Sequence, residues 1–275
     1  MTDHSMLLDV TSKMKLFSFP SLAAIYGSRD EHDGELVGSG TFINIRGETY
    51  LLTAGHIASE KNNYKRLVHT RSIASSPAWL TNHFHVLNQF LDICIVKIDS
   101  DNLKGTTIIP VDIARLAHQS NYLEGDILFT HGYPGAKNIS VNLLDTDFSK
   151  TQPFCTFIAH SVYPWFDSQY HFALDYSQTG QLDDPHGLSG SAVWKTNIDN
   201  STAHWSPLNA EIVGVVHHWD GTAHSLIATR IEIVRKFLLN SLRSEFAYYH
   251  WLERGSPLHD DLNDWFIACK EIPKL

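Results

Sequence analysis

Three polar residues, far apart in the chain, are of the types that acyl transfer needs. Ser189 lies in "DDPHGLSGSAVW" (183–194), between Gly187 and Gly190 and just ahead of a short apolar run. Gly and Ser are ordinary turn residues, so this stretch alone leaves two readings open: a turn that starts a strand, or a nucleophile held in a tight glycine turn. His56 sits in "ETYLLTAGHIAS", where a strand pattern ends in a small-residue turn, and Asp92 opens "FLDICIVKI", at the mouth of a strongly apolar strand. Each also has a plain reading, a loop histidine and a charge marking a strand end. Together they suit one chemistry. A serine hydroxyl is a weak nucleophile until a base takes its proton. Imidazole is such a base because it titrates near neutrality. A carboxylate on its other nitrogen fixes the tautomer and stabilises the imidazolium. The chain order His, Asp, Ser is a known order for this arrangement on a β-barrel scaffold. The α/β-hydrolase order puts Ser first, in a G-x-S-x-G elbow, and here Ser191 stands where the last glycine belongs.

These residues can meet only if the surrounding elements bring distant loops together. From Ser21 to about Arg230 the chain reads as short strands: "LAAIYG", "VGSGTFINI", "TYLLTAG", "LDICIVKI", "GDILFTHG", "ISVNLL", "FCTFIAHSV", "YHFALDY", "SGSAVW", "AEIVGVVHHW" and "HSLIATRI". Each is rich in β-branched and aromatic residues, and Gly, Asn, Asp and Pro separate them. With little helix between them, they predict an all-β barrel or sandwich rather than a βαβ sheet. After Thr229 the period changes. "IEIVRKFLLNSL" puts Ile231, Val234, Leu238 and Leu242 on one face with Phe237 at its edge, the mark of a helix lying on a core. The last stretch reads as two short helices broken at "RGSP". Their aromatic residues, Phe246, Tyr248, Tyr249, Trp251, Trp265 and Phe266, are expected to pack against each other or onto the barrel.

The blocks "GSGTFI" (38–43), "TAGH" (53–56), "LDICIVKI" (91–98) and "GLSGSAV" (187–193), in that order, resemble those of the trypsin-like (chymotrypsin-fold) serine peptidases. "IVGVVHHW" (212–219) resembles that family's substrate-binding strand, and "RIEIVRKFL" its C-terminal helix. The resemblance covers about residues 20–243. It implies an all-β fold of two six-stranded antiparallel β-barrels with a C-terminal helix, the first barrel over about 20–115 and the second over about 121–230, and a helix at 231–243. An N-terminal segment (1–19) and a two-helix tail (244–275) flank them. It further implies a serine endopeptidase that cuts peptide bonds through an acyl-enzyme. His56 would be the general base and acid, Asp92 its orienting group and Ser189 the nucleophile. The oxyanion hole would be the backbone N–H groups of Gly187 and Ser189. A glycine at 187 suits that role, because without a Cβ the backbone can turn its N–H toward the developing charge.

Departures from the family pattern narrow the expectation. Leu188 replaces the aspartate that, in digestive members, pairs with a newly cut N-terminus, so activation by N-terminal cleavage is not expected. That change, the missing disulfides and "GYPG" (132–135) look like the bacterial intracellular branch. "GYPG" and "HHWDG" resemble blocks of the glutamate-specific bacterial endopeptidases. Asp183, six residues before Ser189, has the spacing at which Lys/Arg-specific members carry their pocket aspartate. His217 or His218 would instead bind an acidic side chain. Acidic and basic preferences rank equal on this reading, with small or apolar ones close behind. The backbone from His217 to Trp219 is expected to pair with an extended substrate strand. The tail is similar to a small bacterial two-helix module of unknown function, and is read as a packing or docking element for a regulatory protein partner.

Bulk properties exclude several classes. The 275 residues carry a formal charge of −9, which disfavours nucleic acid as a ligand. No apolar run is long enough to span a membrane, and the N-terminus lacks a secretory pattern. Three widely spaced cysteines are no disulfide framework, so a reducing, cytoplasmic setting is expected. Seventeen histidines invite a metal reading, but no H-E-x-x-H or C-x-x-C is present, and neither metal nor cofactor is expected. The rival class is a protease-like peptide-binding module with negligible turnover.

Overall fold

The period-two pattern resolves into two antiparallel sheets. The structure is a computed structural model that describes residues 4–28, 33–59, 66–69, 78–104, 106–135, 141–142, 151–177, 182–198, 205–257 and 261–275. The first sheet holds β1 (Leu22–Ser28), β2 (Asp33–Ile45), β3 (Glu48–Ala54), β4 (Arg66–His69), β5 (Ala78–Trp79), β6 (Phe84–Val86) and β7 (Ile93–Lys97), with the short β8 (Val111–Asp112) running parallel to β2. The second holds β9 (Leu128–Gly132), β11 (Gln152–Thr156), β12 (Ile158–Ala159), β13 (His171–Asp175), β14 (Ala192–Lys195), β15 (Glu211–Asp220) and β16 (Ser225–Arg230). Between them in the chain, β10 (Val141–Asn142) crosses to pair with β2. The rest of the predicted strand "ISVNLL" lies outside the described residues.

Both sheets thread their strands alike. The spatial orders are β5-β4-β1-β2-β3-β7-β6 and β11-β9-β14-β15-β16-β13-β12. Number the main strands of each half in chain order, β1, β2, β3, β4, β6, β7 and β9, β11, β13, β14, β15, β16. Both halves then follow the same cyclic order, 1-2-3-6-5-4. The second ring is closed next to β11, where Asp175 N–H donates to Phe157 O at 2.9 Å. In the first, no pairing joins β5 to β6 among the described residues. The expected all-β, two-barrel architecture is therefore present, with a few two-residue strands beyond the expected six per half.

The core follows from strands covered on both faces. Ile93, Cys94, Ile95 and Val96 of β7 are all buried, as are Phe129, Phe172, Trp194 and Val215 in the second half.

Three helices pack outside the sheets. The N-terminal segment carries α1 (His4–Ser18), which the sequence reading left unassigned. Val10 and Met14 enter the core, and Phe17 sets its edge on Trp194 at 5.6 Å. Thr11 Oγ1 meets Cys155 Sγ at 3.2 Å, and Ser18 Oγ meets His131 Nδ1 at 2.8 Å. α1 is thus a buttress of the second half.

The expected break after residue 243 is absent. One helix, here α3 (Ile231–Glu253), runs straight through, because no Gly or Pro interrupts it before Gly255. It ends where the Gly255 and Ser256 N–H groups donate back to Leu252 O and Trp251 O. A final helix (Asp261–Glu271) folds back against α3. There the buried Asp264 binds His250 and Arg254, and these partners hold its carboxyl below the usual carboxylate range despite burial. Tyr248 sets its ring against Tyr249 and Trp251, with centroids 5.6 and 6.1 Å apart, as expected of aromatics that pack on each other, although both tyrosines and Phe266 stay largely exposed. No helix among the described residues is long and apolar enough to cross a membrane.

Candidate active site

β3 and β7 are neighbours, and that pairing brings His56 and Asp92 together. β3 ends at Ala54, and a single helical turn, α2 (Gly55–Ser59), carries His56 away from the sheet. Asp92 closes the β6–β7 turn in a left-handed conformation, φ 50°, which Asp tolerates better than most residues. The turn is held by Asn88, whose side chain accepts from the Phe90 and Leu91 N–H groups and whose carbonyl accepts from Asp92 N–H. Asp92 then grips His56 twice. Oδ1 accepts from the His56 backbone N–H at 2.6 Å, and Oδ2 meets Nδ1 at 2.7 Å. An ionised carboxylate can only accept, so the nitrogen that faces it, Nδ1, is the donor of this bond, and Nε2 is the nitrogen left to face away from Asp92. Asp92 is 7% exposed, while the imidazole is open to solvent on its other side. Cys94, two residues on, offers no rival nucleophile, because burial pushes its thiol up to about 12.

Ser189 belongs to the turn before β14. Gly187 and Gly190 both have φ near +90°, and neither position has room for a Cβ. One at Gly187 would sit 2.5 Å from Tyr133 O, and one at Gly190 would sit 1.9 Å from Ser39 O. The turn is tied to β15 by Gly190 N–H to Val216 O (2.7 Å) and Val216 N–H to Ser191 O (2.9 Å). Neither Gly187 N–H nor Ser189 N–H has an acceptor among the described residues, so both donors remain free beside the hydroxyl. Ser189 and His56 line one cleft of about 910 Å³. The Ser189 hydroxyl makes a long contact to His217 O, 3.4 Å, and no hydrogen bond to His56 among the described residues. In unliganded sites such contacts are often loose.

No protein-family model matches the chain, and no curated protein matches it. Solved structures do. The chain aligns with a scabies mite inactivated protease paralogue at TM-score 0.55 and 14% identity, covering 84% of this chain and 96% of that one. It aligns with the Vibrio cholerae VesB protease at 0.52 and 14%, covering 80% of this chain and 63% of that one. The Rv3671c protease from M. tuberculosis, in its active form, gives 0.50 and 12%, with 83% and 82% covered. The architecture is the chymotrypsin fold. Because one of these neighbours is by its name inactivated, the fold leaves the question of turnover to the site.

In this chymotrypsin-fold cleft the expected specificity residues separate. Asp183 does not line it: its backbone is held by Tyr176 Oη and Gln152. β15 breaks its register at His217, where the pairing passes from Val216 opposite Ala228 to His218 opposite Ile227, and the two histidines diverge there. The His217 side chain is buried, with Nδ1 3.7 Å from Asp92 Oδ2 and its ring 5.0 Å from that of His171. Burial pushes its imidazole down to about 3, so it is neutral and forms no ion pair with Asp92. It carries no charge for an acidic ligand. His218 lies in the cleft, stacked on Tyr163 with ring centroids 4.0 Å apart, and burial lowers its pKa as well. Trp219 lines the cleft with its ring braced edge-on by Tyr176. Leu188, where an aspartate was the family's alternative, is fully buried in the core.

Sequence reasoning missed the residues that cross between the halves. Ser39, from β2, donates its N–H to Ser189 O (2.7 Å) and its hydroxyl to Gly187 O (2.7 Å), and the hydroxyl accepts from Tyr133 N–H (2.9 Å). In return, Thr229 Oγ1 donates to Leu91 O (2.6 Å) and His171 Nε2 to Phe90 O (3.0 Å), steadying the Asp92 turn from the second half. Only "GSG" around Ser39, within the "GSGTFI" block, marked one of these positions.

Proposed function

We propose that the chain is a serine endopeptidase. In the reaction, His56 Nε2 takes the Ser189 proton as Oγ attacks the carbonyl carbon of the peptide bond. Asp92 keeps the proton on Nδ1 and stabilises the imidazolium that forms. The Gly187 and Ser189 N–H groups receive the developing oxyanion. His56 then returns the proton to the leaving amine, and water resolves the acyl-enzyme by the same steps in reverse. The observation that carries this reading is the double grip of Asp92 on His56 in the same cleft as a serine flanked by two unengaged N–H donors. The three free cysteines fit a reducing compartment.

The test is covalent labelling with a fluorophosphonate. The native chain should be labelled at Ser189, and Ser189→Ala should not. A native chain that stays unlabelled under conditions where it is folded would defeat the proposal. One observation favours a second reading, a peptide-binding module: the Ser189 hydroxyl contacts His217 O rather than His56. That reading expects peptide binding without labelling.

A further inference from the structure

Resting on the reading above, we propose that the cleft selects an uncharged, apolar side chain beside the bond to be cut. Among the described residues that line it, Asp92 is the sole carboxylate, and there is no Lys or Arg. Both Asp92 oxygens are already committed to His56. The neighbouring acids are engaged elsewhere. Asp220, outside the lining, accepts from Thr222 N–H and Ala223 N–H on Oδ1 and from Ser161 Oγ and Val162 N–H on Oδ2. Asp184 is paired with His186 at the exposed rim, and Asp183 does not reach the cleft. A Lys or Arg side chain would therefore give up its water without gaining a counter-charge.

An acidic side chain fares no better. His217 and His218 are uncharged near neutral pH, the second lying flat on Tyr163. Asp92 and the nearby Asp220 would both repel a carboxylate. What the cleft offers instead is apolar surface from Leu36, Val37, Phe90 and Trp165, with the buried Val216 and Leu226 behind it. Trp165 stands 67% exposed on its wall, and covering that ring with an apolar group removes both surfaces from water.

Two measurements on the full chain test this. The first is cleavage of a proteome-derived peptide library by the native protein, with Ser189→Ala as the blank. Uncharged apolar residues should dominate the position before the cut. A change there from Leu or Phe to Lys or Glu in a single substrate should lower kcat/KM by at least about 30-fold. The second is the binding of fluorescein-labelled tetrapeptides ending in Leu, Phe, Lys or Glu to Ser189→Ala, read by anisotropy. The apolar peptides should bind more tightly, and Trp165→Ala in that background should weaken them at least about threefold. Preference for acidic or basic residues in either measurement, equal binding of all four peptides, or no effect of Trp165→Ala would overturn the inference. The binding arm needs no turnover, so a chain that binds apolar peptides yet resists fluorophosphonate labelling would sink the hydrolase reading and leave the selectivity standing.

Discussion

Acid should destabilise this protein through His217. Burial pushes that imidazole down to about 3, whereas in the unfolded chain it titrates near ~6.5. Between those values the unfolded chain binds a proton that the folded chain refuses, so stability falls as pH falls. One such proton changes stability by up to about 1.4 kcal/mol per pH unit, and because the unfolded imidazole is half protonated at ~6.5, moving from there to ~4.5 costs roughly 2 kcal/mol from this residue alone. That is a large share of a typical ~5–15 kcal/mol. His85, His171 and His218 shift in the same direction, chiefly through burial, and steepen the same limb. Asp184, Asp220 and Asp264 have lowered pKa values, so their contributions persist through this window and fade only in stronger acid. The assay is urea unfolding of the native chain and His217→Asn at several pH values between ~7 and ~4.5. Any packing cost of the substitution is constant with pH and cancels. The difference in stability between the two should change by roughly 2–3 kcal/mol across the range, the native chain falling faster. Parallel curves would refute the claim that His217 sits neutral and buried beside Asp92.

Three further predictions concern the turn and its supports. Gly187→Ala forces a Cβ to within 2.5 Å of Tyr133 O at φ +89°, so fluorophosphonate labelling should slow by about 10²–10³-fold as the N–H donor is displaced; unchanged labelling would remove Gly187 from the oxyanion site. Ser39→Ala strips the Gly187 carbonyl and the Tyr133 N–H of a shared partner and should cost about 1–3 kcal/mol in urea unfolding. It should also slow labelling at least about tenfold. Thr229→Val deletes the bond to Leu91 O and should slow labelling several-fold. Thr196→Val removes a similar buried bond to Ile127 O, away from the cleft; it should cost a comparable ~1 kcal/mol with no effect on labelling. Equal rates for these two threonine variants would make Thr229 merely structural.

What could be read in the sequence was whatever is local. Strand periods, the small-residue turn at His56 and the glycines around Ser189 are local patterns, and the fold bears out the all-β reading they gave. α1 was equally legible in principle, since Met6, Leu7, Val10, Met14 and Phe17 recur at helical spacing, yet a short amphipathic stretch says nothing of what it will pack against. The long α3 was cut at 243 because the family pattern ended there, whereas the chain has no helix breaker until Gly255. The pocket residues failed for a different reason. Asp183 matched a spacing, but a spacing does not fix where a loop points. His217 and His218 are adjacent and of one type, and only the register of β15 decides that one turns inward against Asp92 while the other joins the cleft wall.

The crossing contacts explain why the site needs two halves at all. The Ser189 turn, with two left-handed glycines, and an aspartate at φ 50° are backbones that no local sequence holds firmly. Each is fixed from the opposite sheet. Ser39 of the first half binds the carbonyls on either side of Leu188, and Thr229 and His171 of the second bind the two carbonyls that precede Asp92. Neither half therefore presents its own group in place without the other. A hydroxyl and an imidazole carried on separate sheets would drift with any sliding of one sheet on the other, and a shift of about 1 Å is enough to cost a hundredfold in rate. Clamps that run in both directions resist such sliding where it matters, at the turns themselves. Their donors are Ser, Thr and His, residue types too common to be noticed in a sequence, and their partners are main-chain carbonyls, which any sequence supplies. The support of the site was thus illegible for a physical reason: it is written in contacts across the interface rather than in residue types.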